Sequence, residues 1–207
     1  IRRTTRRVYN DVDNFKTMLP GAIFVMDVAV HNIASEHGET MFTISRDIKT
    51  GYFAGFAMTL KSEMTGKLKN MIDGIRQSFG GDHRHVLVRG MHMDNAGEQM
   101  DTCAQFQHML ATLTGGACTP IYSDPSREVS KHLAESAVKA LELRMKAICL
   151  QQSLPVSLWV RAYQEAIYLA NRYPIGRNVV SRDGDAVRPL EEMSSRSAGW
   201  HRAGQPT

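Results

Sequence analysis

Cysteine is scarce in this chain of 207 residues: there are three, Cys103, Cys118 and Cys149, and no two stand at CxxC spacing. An odd, widely spaced set supports neither a disulfide framework nor a cysteine zinc site, so they read as reduced thiols inside a cell. Long apolar runs are lacking too. None approaches the roughly 18 residues that cross a bilayer as a helix, and no charged-then-apolar stretch of the secretory kind opens the sequence. A membrane partner is therefore not expected. Internal repeats are absent, and so is a strong charge of one sign: Lys and Arg number 25 against 21 Asp and Glu, a net +4. That balance suits a phosphate-bearing partner, but many enzymes share it. What the chain does have is apolar content, 43% of its residues, enough for one sizeable core in a length too short for two. It opens on Ile1 rather than methionine, as expected of a piece of a longer polypeptide.

Residues 1–19 carry Arg2, Arg3, Arg6 and Arg7 with little apolar periodicity and read as a basic linker, either a DNA-contacting arm or a solubilising segment. The domain is expected over 20–195, with a disordered tail over 196–207. Three runs rich in β-branched and aromatic residues, AIFVMDVAV from Ala22, TMFTISRD from Thr40 and GYFAGFAMTL from Gly51, predict an antiparallel meander. Met64, Leu68, Met71, Ile72 and Ile75 then share one helix face between Ser62 and Phe79, closed by Gly80-Gly81. HVLVRGMHM from His85 predicts a fourth strand ending at Asp94, and ACTPIYS a brief fifth after a short helix over about 101–113.

Asp124 as N-cap and Pro125 as first helical residue start a long helix to about Leu150, with Leu133, Ala137, Leu141, Met145 and Ile148 as its buried stripe. A further helix is expected from Pro155 to about Asn171, with Trp159, Ala162, Ala166 and Leu169 on one side. The whole is an α/β order: a mixed five-stranded sheet, three antiparallel strands and then parallel additions, flanked by helices, as in the RNase H-like fold.

His83 and His85 in GDHRH, with His92 nearby, stand at no zinc-ligand spacing with a further His or Cys and read as loop residues. Three carboxylates attract more interest. Asp27 interrupts an apolar strand, where an unpartnered carboxylate is costly. Asp94 begins Asp-Asn-Ala-Gly, which is equally the composition of a strand-ending turn. Glu135 lies one helical turn after Lys131 and one before Lys139, so an exposed ion-pair ladder also accounts for it. Lys131, Lys139 and Lys146 share its helix face, as phosphate contacts or as a solvated stripe.

The segment LPVSLWVRAYQEAIYLANRYP from Leu154 closely resembles the helix that follows the catalytic glutamate in copia-type retrotransposon integrases. Leu154, Pro155, Ser157, Trp159, Ala162, Ala166, Tyr168, Leu169, Asn171, Arg172 and Pro174 fall at the family's positions without a gap. MDNAGEQ from Met93 resembles the family's Ser-Asp-Asn-Gly-Gly-Glu motif, and RPLEEMS from Arg188 the segment that closes its core. FVMDV at the first strand completes the likeness, and the family's spacing back from Leu154-Pro155 lands on Glu135.

The resemblance implies an integrase catalytic core, a polynucleotidyl transferase that joins element DNA ends to target DNA. Asp27, Asp94 and Glu135 would be its catalytic carboxylates, holding two Mg²⁺ ions, with Mn²⁺ as substitute. It further implies DNA as partner at Lys131, Lys139, Lys146 and the N-terminal arginines, a homo-oligomer, and residence in the nucleus or, before nuclear entry, in a cytoplasmic virus-like particle. Lys131 and His132 replace the family's Asn-Gly before the glutamate. That departure keeps open a repurposed DNA-binding or assembly module of the same fold, and a nuclease of another RNase H-like kind is a third reading.

Overall fold

A computed structural model of the chain describes residues 20–79, 88, 90–93, 108, 112, 119–122, 128–173, 189 and 193. The basic arm 1–19 with its four arginines, the histidines His83 and His85, most of the short helix expected over 101–113 and the tail 196–207 lie outside them.

The meander forms from the apolar and β-branched runs, whose strands are buried at consecutive positions. Strand β1 (Ile23–Val30) pairs antiparallel with β2 (Met41–Asp47), Asp27 opposite Ile44 and Ala29 opposite Phe42. The third apolar run is divided into β3 (Phe53–Ala54) and β4 (Ala57–Met58), both antiparallel to β2. Strands β5 (Gly90–Met93) and β6 (Thr119–Tyr122) add in parallel on the other side of β1, giving the order β3-β2-β1-β5-β6 with β4 also on β2. This is the mixed α/β sheet that the sequence predicts.

The break between β3 and β4 has a local cause. The Tyr163 hydroxyl donates to the Thr43 carbonyl, an acceptor that the neighbouring strand would otherwise use. The Phe56 N–H turns instead to Thr43 Oγ1 at 3.2 Å, while the Thr43 N–H still reaches the Phe56 carbonyl at 2.9 Å. Gly55 is required at this point, because a Cβ there would run into both the Tyr163 hydroxyl and the Thr43 carbonyl.

Each face of the sheet has its own core. On one, helix α1 (Met64–Phe79), entered through a 3-10 turn at Lys61–Glu63, buries Leu68, Ile72 and Ile75 against Phe24, Met26 and Met91. On the other lie α2 (Glu128–Gln151) and α3 (Trp159–Arg172), packed on each other and on the sheet. Ala137, Leu141, Met145 and Ile148 of α2 are buried there, together with Trp159, Ala162, Tyr163, Ala166 and Ala170 of α3, against Phe42, Ile44 and Phe53. The helix expected from Pro155 starts with a 3-10 turn, Val156–Leu158, before the α-helix proper.

Asn171 finishes the sheet edge. Its Oδ1 accepts from the Phe53 N–H at 2.7 Å and its Nδ2 donates to the Phe53 carbonyl at 2.8 Å. One buried amide thus takes the place of a further strand on β3, whose backbone would otherwise be an open edge.

Burial against the sheet raises the Tyr163 phenol far above its ordinary value. The sign of the linkage follows. The unfolded chain releases the Tyr163 proton near pH 10 while the folded one keeps it, so this contribution is whole below that pH and is lost as pH rises above it. Tyr163→Phe should flatten the fall in stability between roughly pH 10 and 11.5, read from urea melts across that range. An unchanged alkaline slope would place Tyr163 in water.

Candidate active site

Strand alternation decides where Asp27 points. Phe24 and Met26 enter the core beneath α1. Asp27 belongs to the opposite set, with Ala29, whose side chain packs on the core formed by α2 and α3. Its register partner Ile44 is buried in that same core. Asp27 therefore lies on the sheet face that α2 and α3 cover, half-buried, with Oδ1 accepting its neighbour's Val28 N–H at 2.8 Å.

Glu135 is carried to the same side of the sheet. It stands in the first half of α2, half-buried, two residues before Ala137, which is 1% exposed and packs into the core beneath. Asp27 and the helix that carries Glu135 thus lie on the same side of the sheet, although the two residues are 108 positions apart in sequence.

The third carboxylate, Asp94, lies outside the described residues. The strand leading to it does not. Strand β5 runs parallel to β1 with Met93 in register with Met26, and these are the residues that immediately precede Asp94 and Asp27 in the sequence. Parallel strands end on the same side of a sheet, the side where open α/β sheets place their ligands. Among the described residues no three His, Cys, Asp or Glu side chains gather as a metal site, a set to which Asp94 does not belong.

The loop 31–40 after β1 is fixed rather than loose. The His31 N–H bonds the Thr40 carbonyl at 2.7 Å, closing its ends. Trp159 Nε1 donates to the Ile33 carbonyl at 2.9 Å, and the Trp159 ring stacks on His31 with centroids 4.8 Å apart. The Glu36 N–H reaches the Ser157 carbonyl at 2.9 Å, and Arg161 Nε meets Glu36 Oε1 at 2.7 Å. The start of α3 thereby clamps the segment leaving the Asp27 strand, which supports the carboxylate from rigid elements.

Arg46 lies across the same sheet face, two positions along β2 from Ile44, with its guanidinium 5.5 Å from the Phe53 ring centroid. Burial lowers its pKa from the ordinary value, and neighbouring Asp47 partly restores it.

Of the basic residues singled out in the sequence, Lys139 and Lys146 are exposed on α2. Lys131 falls within the same helix, its side chain outside the described set, as are Arg2, Arg3, Arg6 and Arg7. His92 stands in β5, its side chain likewise outside. Sequence reasoning passed over Tyr163 and Asn171 as structural determinants. Asn171 stood inside the resemblance, and the signal available was a polar residue on the buried side of an otherwise apolar helix.

No protein-family model matches the chain, and no curated protein does. Solved structures do match its fold. The catalytic core domain of BIV integrase superposes with a TM-score of 0.58 at 15% identity, over 88% of this chain and 99% of that one. A chain of the simian T-cell lymphotropic virus intasome, solved in complex with PP2A regulatory subunit B56 gamma, gives a TM-score of 0.59 at 14% identity over 86% of this chain. This chain spans 56% of the length of that second protein. The fold, a mixed sheet with helices on both faces, is the fold of retroviral integrase catalytic cores.

Proposed function

We propose that the chain is the catalytic core of a copia-type integrase, a polynucleotidyl transferase that joins DNA ends to a target by attack of an oxygen on a phosphodiester. One observation carries the reading: Asp27 and Glu135 lie on the same side of the sheet, and the strand leading to Asp94 runs in parallel register beside the strand that holds Asp27. Carboxylate oxygens are the hard donors that Mg²⁺ takes, and the arrangement draws them from three separate elements. Asp27 and Asp94 would hold one ion, Asp27 and Glu135 the other. Such ions, when bound, would supply an activated attacking oxygen and a stabilised leaving oxygen.

The chain's own residues do the rest. The Val28 N–H bonds the Asp27 carboxylate at Oδ1 and helps to orient it. The clamped loop 31–40 holds the end of β1 in place. Exposed Lys139 and Lys146 offer positive charge on the helix that carries Glu135, where a phosphate backbone would pass. DNA is the partner, self-association the expected assembly state and the nucleus the place of action. The test is a joining assay on branched element-end DNA with Mg²⁺ or Mn²⁺. Metal-dependent product is the expected result, and DNA binding without product in either metal would favour the repurposed binding module.

Clustered carboxylates repel one another, and cations binding the native state relieve this and stabilise it by mass action. The melting temperature should rise in millimolar Mg²⁺, and Asp94→Asn should remove most of the rise. An equal rise in variant and wild type would place the ions elsewhere.

If Lys131, Lys139 and Lys146 neutralise phosphates, replacing all three by Ala should weaken DNA binding and flatten the dependence of log K on log salt by about 0.9 for each phosphate left unneutralised. Fluorescence anisotropy at several salt concentrations measures this. An unchanged slope would make the lysines a solvated face.

A further inference from the structure

The outer side of α2 carries something that neither catalysis nor phosphate binding requires. Leu143 is 67% exposed and Leu150 is 81% exposed. They are one heptad apart, so they lie within about 20° of each other around the helix. Ala147, also exposed, stands between them, four residues after one and three before the other. Leu143, Lys146, Ala147 and Leu150 thus occupy positions i, i+3, i+4 and i+7, the four corners of a hole that receives a side chain from a packed helix. The small Ala147 leaves that hole open. The opposite side of the same helix, with Leu141, Met145 and Ile148, is already spent on the core.

Charge selects the occupant. Lys139 and Lys146, both exposed, each stand one turn before a leucine, so the apolar hole is edged with ammonium groups. A second copy of this chain is disfavoured there. The antiparallel two-fold register that seats Leu143 on Leu150 brings Lys146 within one residue of its own symmetry mate, and identical charges then meet. A helix with an apolar knob and flanking carboxylates meets no such repulsion and fits both features.

We propose that the outer face of α2 docks an acidic amphipathic helix of a partner protein, its apolar knob entering the hole of Leu143, Lys146, Ala147 and Leu150 and its carboxylates meeting Lys139 and Lys146. The two leucines stand about two to four turns beyond Glu135 along the helix, while Lys139 and Lys146 serve this surface and the phosphate-binding one alike; the proposal goes beyond the DNA-joining reading.

The probe is a labelled peptide of about three heptads with Leu at the a and d positions and Glu at e and g, titrated with the whole chain by fluorescence anisotropy. A second peptide carries Lys in place of every Glu. Saturable binding of the acidic peptide alone is expected, weakened at least about tenfold in L143E/L150E. The milder L143S/L150S should weaken it in the same direction, and because all four changes are at exposed positions, circular dichroism should show an unaltered fold. L143S/L150S adds no charge and leaves Lys139 and Lys146 in place, so it should bind duplex DNA as wild type does, which separates the leucines from the phosphate-binding lysines. Equal binding of both peptides, no binding of the acidic one, or binding indifferent to both leucine pairs would overturn the proposal. So would a wild-type dimer that L143E/L150E converts to a monomer in sedimentation, which would assign the face to a second copy.

Discussion

Asp27→Asn is expected to leave the protein folded and bound to DNA while lowering metal-dependent joining by more than about a thousandfold, the scale of removing one member of a catalytic unit that acts together. The substitution keeps the shape of the side chain and the oxygen that accepts the Val28 N–H at 2.8 Å. It removes the negative charge that two cations would share. DNA affinity should stay the same or rise slightly, since one repulsive charge beside the phosphates is gone. A parallel Glu135→Gln should behave alike, because it stands on the same side of the sheet. Joining that survives in either variant would remove that carboxylate from the reaction.

Trp159→Ala should cost about 3–5 kcal/mol of stability, the range for deleting a large buried aromatic. Trp159 is 1% exposed, packs on Phe42 with ring centroids 5.6 Å apart, and fastens the loop 31–40 through His31 and the Ile33 carbonyl. Domains of this size hold only about 5–15 kcal/mol in all, so the variant would have little margin left. Trp159→Phe keeps most of the apolar packing and loses the hydrogen bond, and should cost about 1–2 kcal/mol. Urea melts followed by circular dichroism give both values. A Trp159→Ala cost under about 1 kcal/mol would mean that the α2–α3 core does not bear on β2 as described.

Much of the fold was legible in advance, for a physical reason. AIFVMDVAV is a nearly continuous apolar run because both faces of β1 are covered, and the period of Leu141, Met145 and Ile148 is set by burial on one side of a helix. The divided third strand was not legible. It depends on the Tyr163 hydroxyl competing for the Thr43 carbonyl, an interaction between residues 120 positions apart in sequence that leaves no periodic trace. The 3-10 turn Val156–Leu158 at the start of α3 was not legible either; its Ser157 carbonyl accepts the Glu36 N–H of the loop 31–40, a contact distant in sequence.

The candidate site divides in the same way. Strand parity placed Asp27 on a definite face of β1, yet which helices cover that face is a property of topology, visible only once Ala29 and Ile44 are seen beneath α2 and α3. Glu135, flanked by lysines, carried no signal of its own in composition. It was picked out by its distance from Leu154-Pro155 in a resembling family, and its half-buried position is something an exposed ion-pair ladder would not by itself require.

The central claim is that three carboxylates from β1, the end of β5 and α2 form one two-cation site. The direct test is a crystal structure of the chain grown with Mn²⁺, with the ions located by their anomalous scattering. Two Mn²⁺ positions about 3.5–4 Å apart are expected, one held by Asp27 and Asp94 and the other by Asp27 and Glu135. Ordered Mn²⁺ bound away from Asp27, or a Glu135 carboxylate turned from the Asp27 side of the sheet, would contradict it.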